Sequence, residues 1–126
     1  KIKDYNKYIN CVFKAGDFFK DIPVQSDVYL LSNILHDWDD GRCLEILKNC
    51  NTAMKDTAKL LILEMVISEN SRFSMAKLLD LEVLVMGNGK ERTLVEFKDL
   101  LHTAKLKIKT IYKGNSDYCL IECVKV

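Results

Sequence analysis

Residues 32–49, SNILHDWDDGRCLEILKN, decide the fold because they pass from an apolar run into a helical pattern through a cluster of polar side chains. Residues 26–35 are rich in strand formers and predict a strand buried on both faces of a parallel sheet. Beyond the aspartates at 37, 39 and 40, apolar residues recur at helical spacing: Leu44, Leu47, Cys50 and Met54. This pattern predicts a helix of about four turns whose N-terminus is favoured by the aspartates.

A second apolar run, KLLILEMVI at residues 59–67, follows this helix after a short connection and predicts a second buried strand. A strand, a helix and a strand joined by short connections form a right-handed crossover, so the two strands should be parallel. The unit therefore predicts an α/β fold.

The flanking segments extend this unit in both directions. Residues 1–9 have the spacing of a helix tail, residues 10–16 predict a short strand, and residues 72–86 predict a mostly buried helix. A capping box from Thr93 to Glu96 predicts a helix through about Thr103. Residues 106–112 and 117–126 predict an antiparallel hairpin at the edge of a mostly parallel sheet.

Composition limits the classes of protein that this chain can be. With 126 residues, 48% of them hydrophobic and 29% charged, the chain predicts one soluble domain. A net charge of +1 with lysines interleaved among carboxylates gives no basic stripe for nucleic acid. The longest apolar run is too short to cross a membrane, and residues 1–10 do not resemble a secretion signal.

The five cysteines point to reduced thiols. Their number is odd and no Cys-x-x-Cys pair is present, which argues against a disulfide framework and against a zinc site. We therefore expect a cytoplasmic protein with mostly buried thiols and without a metal.

Polar side chains follow the predicted strands where ligands bind in open parallel sheets. Asp17 follows residues 10–16, His36 and Asp37 follow residues 26–35, and Glu64 lies near the end of its strand. His36 is suited to act as a general base, with a carboxylate such as Glu64 fixing its tautomer. It is equally compatible with a structural role in which it caps the strand and packs on Trp38.

The other candidate motifs are weaker. GNG at residues 87–89 follows a helix and lacks a third glycine, so it predicts a turn and not a phosphate-binding loop. His102 lies in an amphipathic helix and is expected at the surface. No nucleophile elbow and no pair of histidines at metal-binding spacing is present in the sequence.

Five segments together resemble the small-molecule O-methyltransferases that use S-adenosylmethionine, the family of caffeate, flavonoid and acetylserotonin methyltransferases. They are GDFF at 16–19, ILHDWDDGRCLEIL at 34–47, LLILE at 60–64, LLDLEVLVM at 78–86 and GKERTLVEF at 89–97. The resemblance implies that His36 removes the proton of an acceptor hydroxyl and that Glu64 and Glu91 flank it. It also implies that Asp17 and Phe18 meet the adenine of the cofactor, while Asp37 and Trp38 complete the site wall.

The chain also departs from this family. The glycine-rich loop that holds the cofactor in relatives is absent from these residues, as are the first two strands of the Rossmann-like sheet and the helical N-terminal region. Residues 1–126 therefore resemble the C-terminal part of a catalytic domain. The alternative is a non-catalytic module that acts in binding or oligomerisation, with a second copy or a companion chain covering the exposed sheet edge.

Overall fold

The sheet is organised around one central strand. The computed structural model describes residues 12–68, 75–78 and 89–126. Its strands are β1 (Val28–Ser32), β2 (Lys59–Ile67), β3 (Arg92–Thr93), β4 (Leu106–Lys113) and β5 (Tyr118–Lys125). The main sheet has the order β1-β2-β5-β4, and β3 pairs with the end of β2. β1 and β3 are parallel to β2, whereas β5 and β4 are antiparallel to their neighbours. The predicted mixed α/β fold with a C-terminal hairpin is confirmed.

Two helices cover one face of this sheet. Helix α1 (Asp40–Ala53) begins at Asp39, whose side chain accepts a hydrogen bond from the Arg42 amide, and α2 (Leu94–Thr103) begins with the predicted capping box. Their buried faces join the strands in one core. This core contains Cys43, Ile46, Leu47 and Cys50 from α1, Phe97, Leu100 and Leu101 from α2, and Leu60, Ile62, Ile121 and Cys123 from the strands.

The first predicted strand is wrong where the structure describes it. Residues 12–17 have no regular secondary structure, and the side chains of Val12 and Phe13 are exposed. An isolated strand needs a partner and a buried face, and among the described residues this segment has neither. Asp17 instead opens a turn in which its side chain accepts a hydrogen bond from the Phe19 amide.

The second predicted strand is shorter than expected. β1 ends at Ser32, because Asn33 adopts a left-handed conformation with φ of 51° and residues Leu35–Asp37 form a turn of 3₁₀ helix. Burial on both faces is also wrong, since Val28 and Leu30 are 48% and 60% exposed in the described structure. By contrast, the predicted strand at residues 59–67 has the bounds of β2.

Three predictions lie wholly or largely outside the described residues. They are the helix tail at residues 1–9, the helix at residues 72–86, of which residues 75–78 are described and helical, and the turn at residues 87–89, of which residue 89 is described. In the part of the chain that the structure describes, no helix is long and apolar enough to span a membrane.

Candidate active site

His36 lies in the turn that follows β1. The turn has no side-chain cap at its N-terminus, and its own backbone bonds, Asp37 N to Ile34 O and Trp38 N to Leu35 O, are both 3.3 Å long. Such a short helix has little stability of its own, so contacts from other elements must hold it. The His36 side chain is 23% exposed, which leaves part of the ring accessible.

Glu64 supplies the most direct of these contacts. It is the sixth residue of β2, and its side chain is fully buried. Oε1 accepts hydrogen bonds from the Ile34 amide at 2.9 Å and the Leu35 amide at 2.7 Å, and Oε2 lies 3.0 Å from Nδ1 of His36. A buried carboxylate requires hydrogen-bonded partners, and these three donors satisfy it. Glu64 therefore both ends β1 and orients the imidazole ring.

Two further carboxylates lie near the ring. Oε1 of Glu91, a buried residue directly before β3, is 3.8 Å from Nδ1 of His36. Oδ1 of Asp37 is 3.2 Å from Nε2, and its side chain is 59% exposed. The contact with the buried Glu64 favours a proton on Nδ1, while Nε2 faces the exposed Asp37 carboxylate on the more open side of the ring.

The same groups have the composition of a metal site. Ligand atoms of His36, Glu64 and Glu91 all lie within 4.8 Å of one another. However, both Glu64 oxygens already accept hydrogen bonds, and Nδ1 of His36 is directed at one of them. Hydrogen bonding thus accounts for the contact between Glu64 and His36.

A second group of side chains lies beside α1. The rings of Phe18 and Phe19 contact Trp38, with centroids 6.5 and 4.8 Å apart and edge-to-face geometry. The guanidinium of Arg42 lies 3.8 Å from the Phe19 ring centroid, and Asn49 donates a hydrogen bond to the Phe18 carbonyl. These contacts fix the turn that carries Asp17 against α1. Since Trp38 is two residues from His36, both groups belong to one region of the surface.

Sequence reasoning missed Arg92. This residue begins β3 and is 1% exposed, and its guanidinium donates to Asp40 and to the backbone carbonyls of Leu35, Trp38 and Lys90. Its position beside Glu91 in GKERT was the available signal, but its burial depends on α1 and β3 meeting in the fold. A lone arginine in a polar segment predicts a solvated side chain.

Asp40 and Lys90 extend this charged contact to the surface. Nζ of Lys90 lies 3.2 Å from Asp40 and 3.1 Å from Glu96. Partial burial opposes ionisation of Asp40, but hydrogen bonds from Arg92 and Lys90 outweigh it and hold the pKa of this carboxyl below its usual range. Partial burial likewise opposes the charge of Lys90, and its two carboxylate partners nevertheless raise its pKa.

Cys43 of α1 also contacts the His36 turn. Its thiol donates to the Leu35 carbonyl at 3.1 Å, and burial raises its pKa to about 11. A thiol with a raised pKa is a poor nucleophile, which assigns Cys43 to packing. The four described cysteines are all free and buried, as expected.

The sheet and this histidine–carboxylate centre define an α/β protein whose candidate site lies at the carboxyl end of a parallel strand pair. The O-methyltransferase domain model matches residues 3–107, and the chain belongs to this family.

Individual relatives agree with this assignment. The chain is 42% identical over 112 residues to a phenazine O-methyltransferase from Lysobacter antibioticus, covering 89% of this chain and 33% of the relative. Human N-acetylserotonin methyltransferase, solved in complex with S-adenosylmethionine, superposes with a TM-score of 0.82 at 33% identity, covering 90% of this chain and 33% of that protein. The chain thus spans about a third of the length of the relatives it matches.

A further solved relative contains a bound aromatic compound. An O-methyltransferase from neocarzinostatin biosynthesis, solved with S-adenosylmethionine and 2-hydroxy-5-methyl naphthoic acid, has a TM-score of 0.78 at 30% identity. The alignment covers 90% of this chain and 33% of that protein. Its bound acid is an aromatic hydroxyl compound.

Proposed function

We propose that residues 1–126 form the C-terminal part of an O-methyltransferase catalytic domain and that His36 is its general base. The contact between Nδ1 of His36 and Oε2 of Glu64, at 3.0 Å, carries this proposal. A base needs a fixed tautomer and an accessible nitrogen. The buried carboxylate at Nδ1 supplies the first, and the partial exposure of the ring supplies the second. If His36 only capped the strand end, it would need neither a second buried carboxylate, Glu91, nor a partly exposed ring.

Proton removal is the step that this chain's own residues would perform. Nε2 of His36 would take the proton of the acceptor hydroxyl and leave its oxygen as the nucleophile. When bound, S-adenosylmethionine would supply an electrophilic methyl group on a positively charged sulfur, which would leave as a neutral thioether. Glu64 and Glu91 stabilise the imidazolium that results. The exposed Asp37 side chain moves aside when the acceptor approaches Nε2.

The acceptor proposed for this reaction is a small, aromatic hydroxyl compound. A phenol with a pKa near ~10 is a weak nucleophile at neutral pH until a positioned base removes its proton. The naphthoic acid bound by the neocarzinostatin relative is of this chemical class. Asp37, whose Oδ1 lies 3.2 Å from Nε2 of His36, and Trp38, the next residue, are proposed to form part of the wall against which the acceptor lies.

The turn around residue 18 is proposed to meet the adenine of S-adenosylmethionine. Asp17 presents an exposed carboxylate that can accept a hydrogen bond from an exocyclic amine, and the half-buried Phe18 ring offers an apolar face. These side chains fit an adenine, and the Arg42 and Asn49 contacts hold their turn in place.

The glycine-rich loop that relatives use for the rest of the cofactor is absent from this chain. We therefore expect weaker than micromolar binding in a calorimetric titration of residues 1–126 with S-adenosylmethionine, and tighter binding would contradict this expectation.

A chimera tests the catalytic assignment. The aligned third of the Lysobacter phenazine O-methyltransferase is replaced by this chain, and methyl transfer to that enzyme's own acceptor is measured. We expect activity in the chimera and a loss of about 10²–10⁴-fold in kcat when His36→Asn is introduced. His102→Asn, at an exposed histidine of α2, is the matched control and should leave kcat unchanged. A folded, active chimera in which His36→Asn has no effect would refute the role of His36.

The exposed sheet face favours a second, non-catalytic function. Val28 and Leu30 present apolar side chains on the face of β1 opposite α1, and exposed apolar strips of this kind are usually covered by protein. We propose that a second copy or a companion chain covers this face of the edge strand β1. We place the protein in the cytoplasm, where the free thiols stay reduced. Sedimentation at dilute concentration tests this proposal, and a stable monomer that binds no hydrophobic dye would refute it.

A further inference from the structure

Arg92 makes an unusually complete set of hydrogen bonds for one side chain. Nε and Nη2 donate to Oδ1 of Asp40 at 3.0 and 2.8 Å. Nη1 donates to the carbonyls of Leu35 and Lys90 at 2.8 and 3.3 Å, and Nη2 also donates to the carbonyl of Trp38 at 2.8 Å. A guanidinium has five N–H donors, so every donor of this buried cation has an acceptor.

The acceptors are placed on both sides of the candidate base. The Leu35 carbonyl immediately precedes His36, the Trp38 carbonyl immediately follows Asp37, and Asp40 begins α1. Arg92 therefore holds the backbone before and after the two residues that face the reaction. No hydrogen bond from Arg92 to the His36 ring is present among the described contacts, so its influence would pass through the backbone.

The turn also lies between two buried groups of opposite charge. Glu64 accepts from the amides of Ile34 and Leu35, whereas Arg92 donates to the carbonyls of Leu35 and Trp38. The anion thus binds the N–H side of the turn and the cation binds its C=O side, which matches the dipoles of these peptide groups. Since the turn's own hydrogen bonds are long, the side chains of Glu64 and Arg92 fix the position of His36.

We infer that Arg92 is a positioning residue, which holds the His36 turn so that Nδ1 stays on Glu64 and Nε2 stays directed at the acceptor. The inference rests on the proposed function of His36 as base. A displacement of about 1 Å at a catalytic group can cost about 10²-fold in rate, so a clamp of this kind has a catalytic consequence without touching the substrate.

Nuclear magnetic resonance of the 126-residue chain tests the inference directly. Nitrogen shifts of His36 report which ring nitrogen carries the proton, and amide exchange of Leu35 reports its bond to Glu64. Arg92→Lys keeps the positive charge but loses the planar guanidinium and its five donors. We therefore expect a mixture of His36 tautomers and amide exchange of Leu35 that is at least about tenfold faster. Unchanged His36 shifts and unchanged Leu35 exchange in a folded Arg92→Lys chain would overturn the inference.

Two further variants separate positioning from stability. Phe97→Leu loosens the core beside α2 but removes no hydrogen bond of the turn, so it should lower the melting temperature while His36 keeps its tautomer. Asp40→Asn removes the anionic partner but leaves the carbonyl acceptors of Arg92 in place, so the His36 signals should again be unchanged. If Phe97→Leu shifted the His36 signals as much as Arg92→Lys at equal loss of stability, the effect would be general loosening and the inference would fail.

These outcomes are independent of the outcome for the proposed function. The resonance experiment measures the geometry of His36 whether or not it acts as a base. Methyl transfer that survives His36→Asn in the chimera would remove the proposed function and leave the structural role of Arg92 as measured. The converse result is that His36→Asn abolishes activity while Arg92→Lys leaves the His36 shifts and Leu35 exchange unchanged. That result would support the proposed function and refute the positioning role of Arg92.

Discussion

Glu64→Gln should convert the candidate base into the wrong tautomer while the fold survives. The glutamine carbonyl can still accept from the amides of Ile34 and Leu35, but its NH₂ group then faces Nδ1 of His36. Nδ1 must become the acceptor, so the ring proton moves to Nε2, the nitrogen that would take the proton of the acceptor. A carboxylate-to-amide exchange of this kind in the serine-protease triad lowers kcat by about 10⁴-fold.

The structure also sets the expected cost in stability. Three charge-assisted hydrogen bonds become neutral ones, a loss of about 1 kcal/mol each, but the desolvation of a buried charge is removed at the same time. We therefore expect a net change within about 2 kcal/mol in the free energy of unfolding. Glu64→Leu, by contrast, leaves two backbone amides without acceptors and should cost about 2–6 kcal/mol.

Two measurements on the same variants check this reasoning. Nitrogen shifts of His36 should show Nδ1–H in the parent chain and Nε2–H in Glu64→Gln, and the chimera carrying Glu64→Gln should lose methyl transfer by the factor given above. Urea unfolding should rank Glu64→Leu well below Glu64→Gln. A Glu64→Gln chain that keeps both the Nδ1–H tautomer and full activity would refute the assignment of Glu64 as the orienting carboxylate.

Three predictions concern stability. Burial raises the pKa of Cys50 to about 12 from 9.0, so the folded chain retains a proton that the unfolded chain releases, and stability should fall above pH 9. Cys43 and Cys123 add similar contributions, so the loss between pH 7.5 and 10.5 in urea unfolding should be about 2 kcal/mol smaller in Cys50→Ala than in the parent chain. The lowered pKa values of Asp40 and Glu96 stabilise the fold above pH ~4, and this contribution is lost as the pH falls through them. Acid titration followed by circular dichroism should therefore show a shallower transition in Asp40→Asn. Thr93→Ala removes the cap of α2 and should lower the free energy of unfolding by about 1 kcal/mol, whereas Thr103→Ala at the far end of α2 should change it by less than about 0.5 kcal/mol.

Local pattern was sufficient for elements whose stability is mainly local. The run at 59–67 is buried on alternate residues and flanked by partners on both sides, so its strand pattern and its bounds coincide. Helix α2 begins where Thr93 and Glu96 satisfy each other's backbone amides, which is a contact within four residues. Such features are encoded in the segment that forms them.

The remaining features depend on residues distant in sequence. β1 ends early because Glu64, about 30 residues away, accepts the amides that would otherwise extend the strand. Arg92 is buried because α1 supplies Asp40 and the His36 turn supplies carbonyls more than 50 residues upstream. The segment at 12–17 has the composition of a strand but no described neighbour to pair with. No window of local sequence contains these contacts. The positions of polar residues at strand ends grouped His36 with Glu64, and only the resemblance to a family added Glu91.

The central position of β2 has a consequence for the order of folding. β4 and β5 are joined by a four-residue loop and can pair early, whereas the pairing of β2 with β5 brings together residues at least 53 positions apart, from Met65 to Tyr118. Glu64 reaches the His36 turn through the β1–β2 pairing, whose partners are 31 positions apart, whereas Arg92 lies more than 50 positions from the carbonyls of Leu35 and Trp38 and depends on β3 pairing with the end of β2. We expect mutations in the β4–β5 hairpin to slow folding and mutations in the His36 turn to speed unfolding, as chevron analysis would show. The contacts that hold the His36 turn would then be complete only late in folding and would be among the first to be lost.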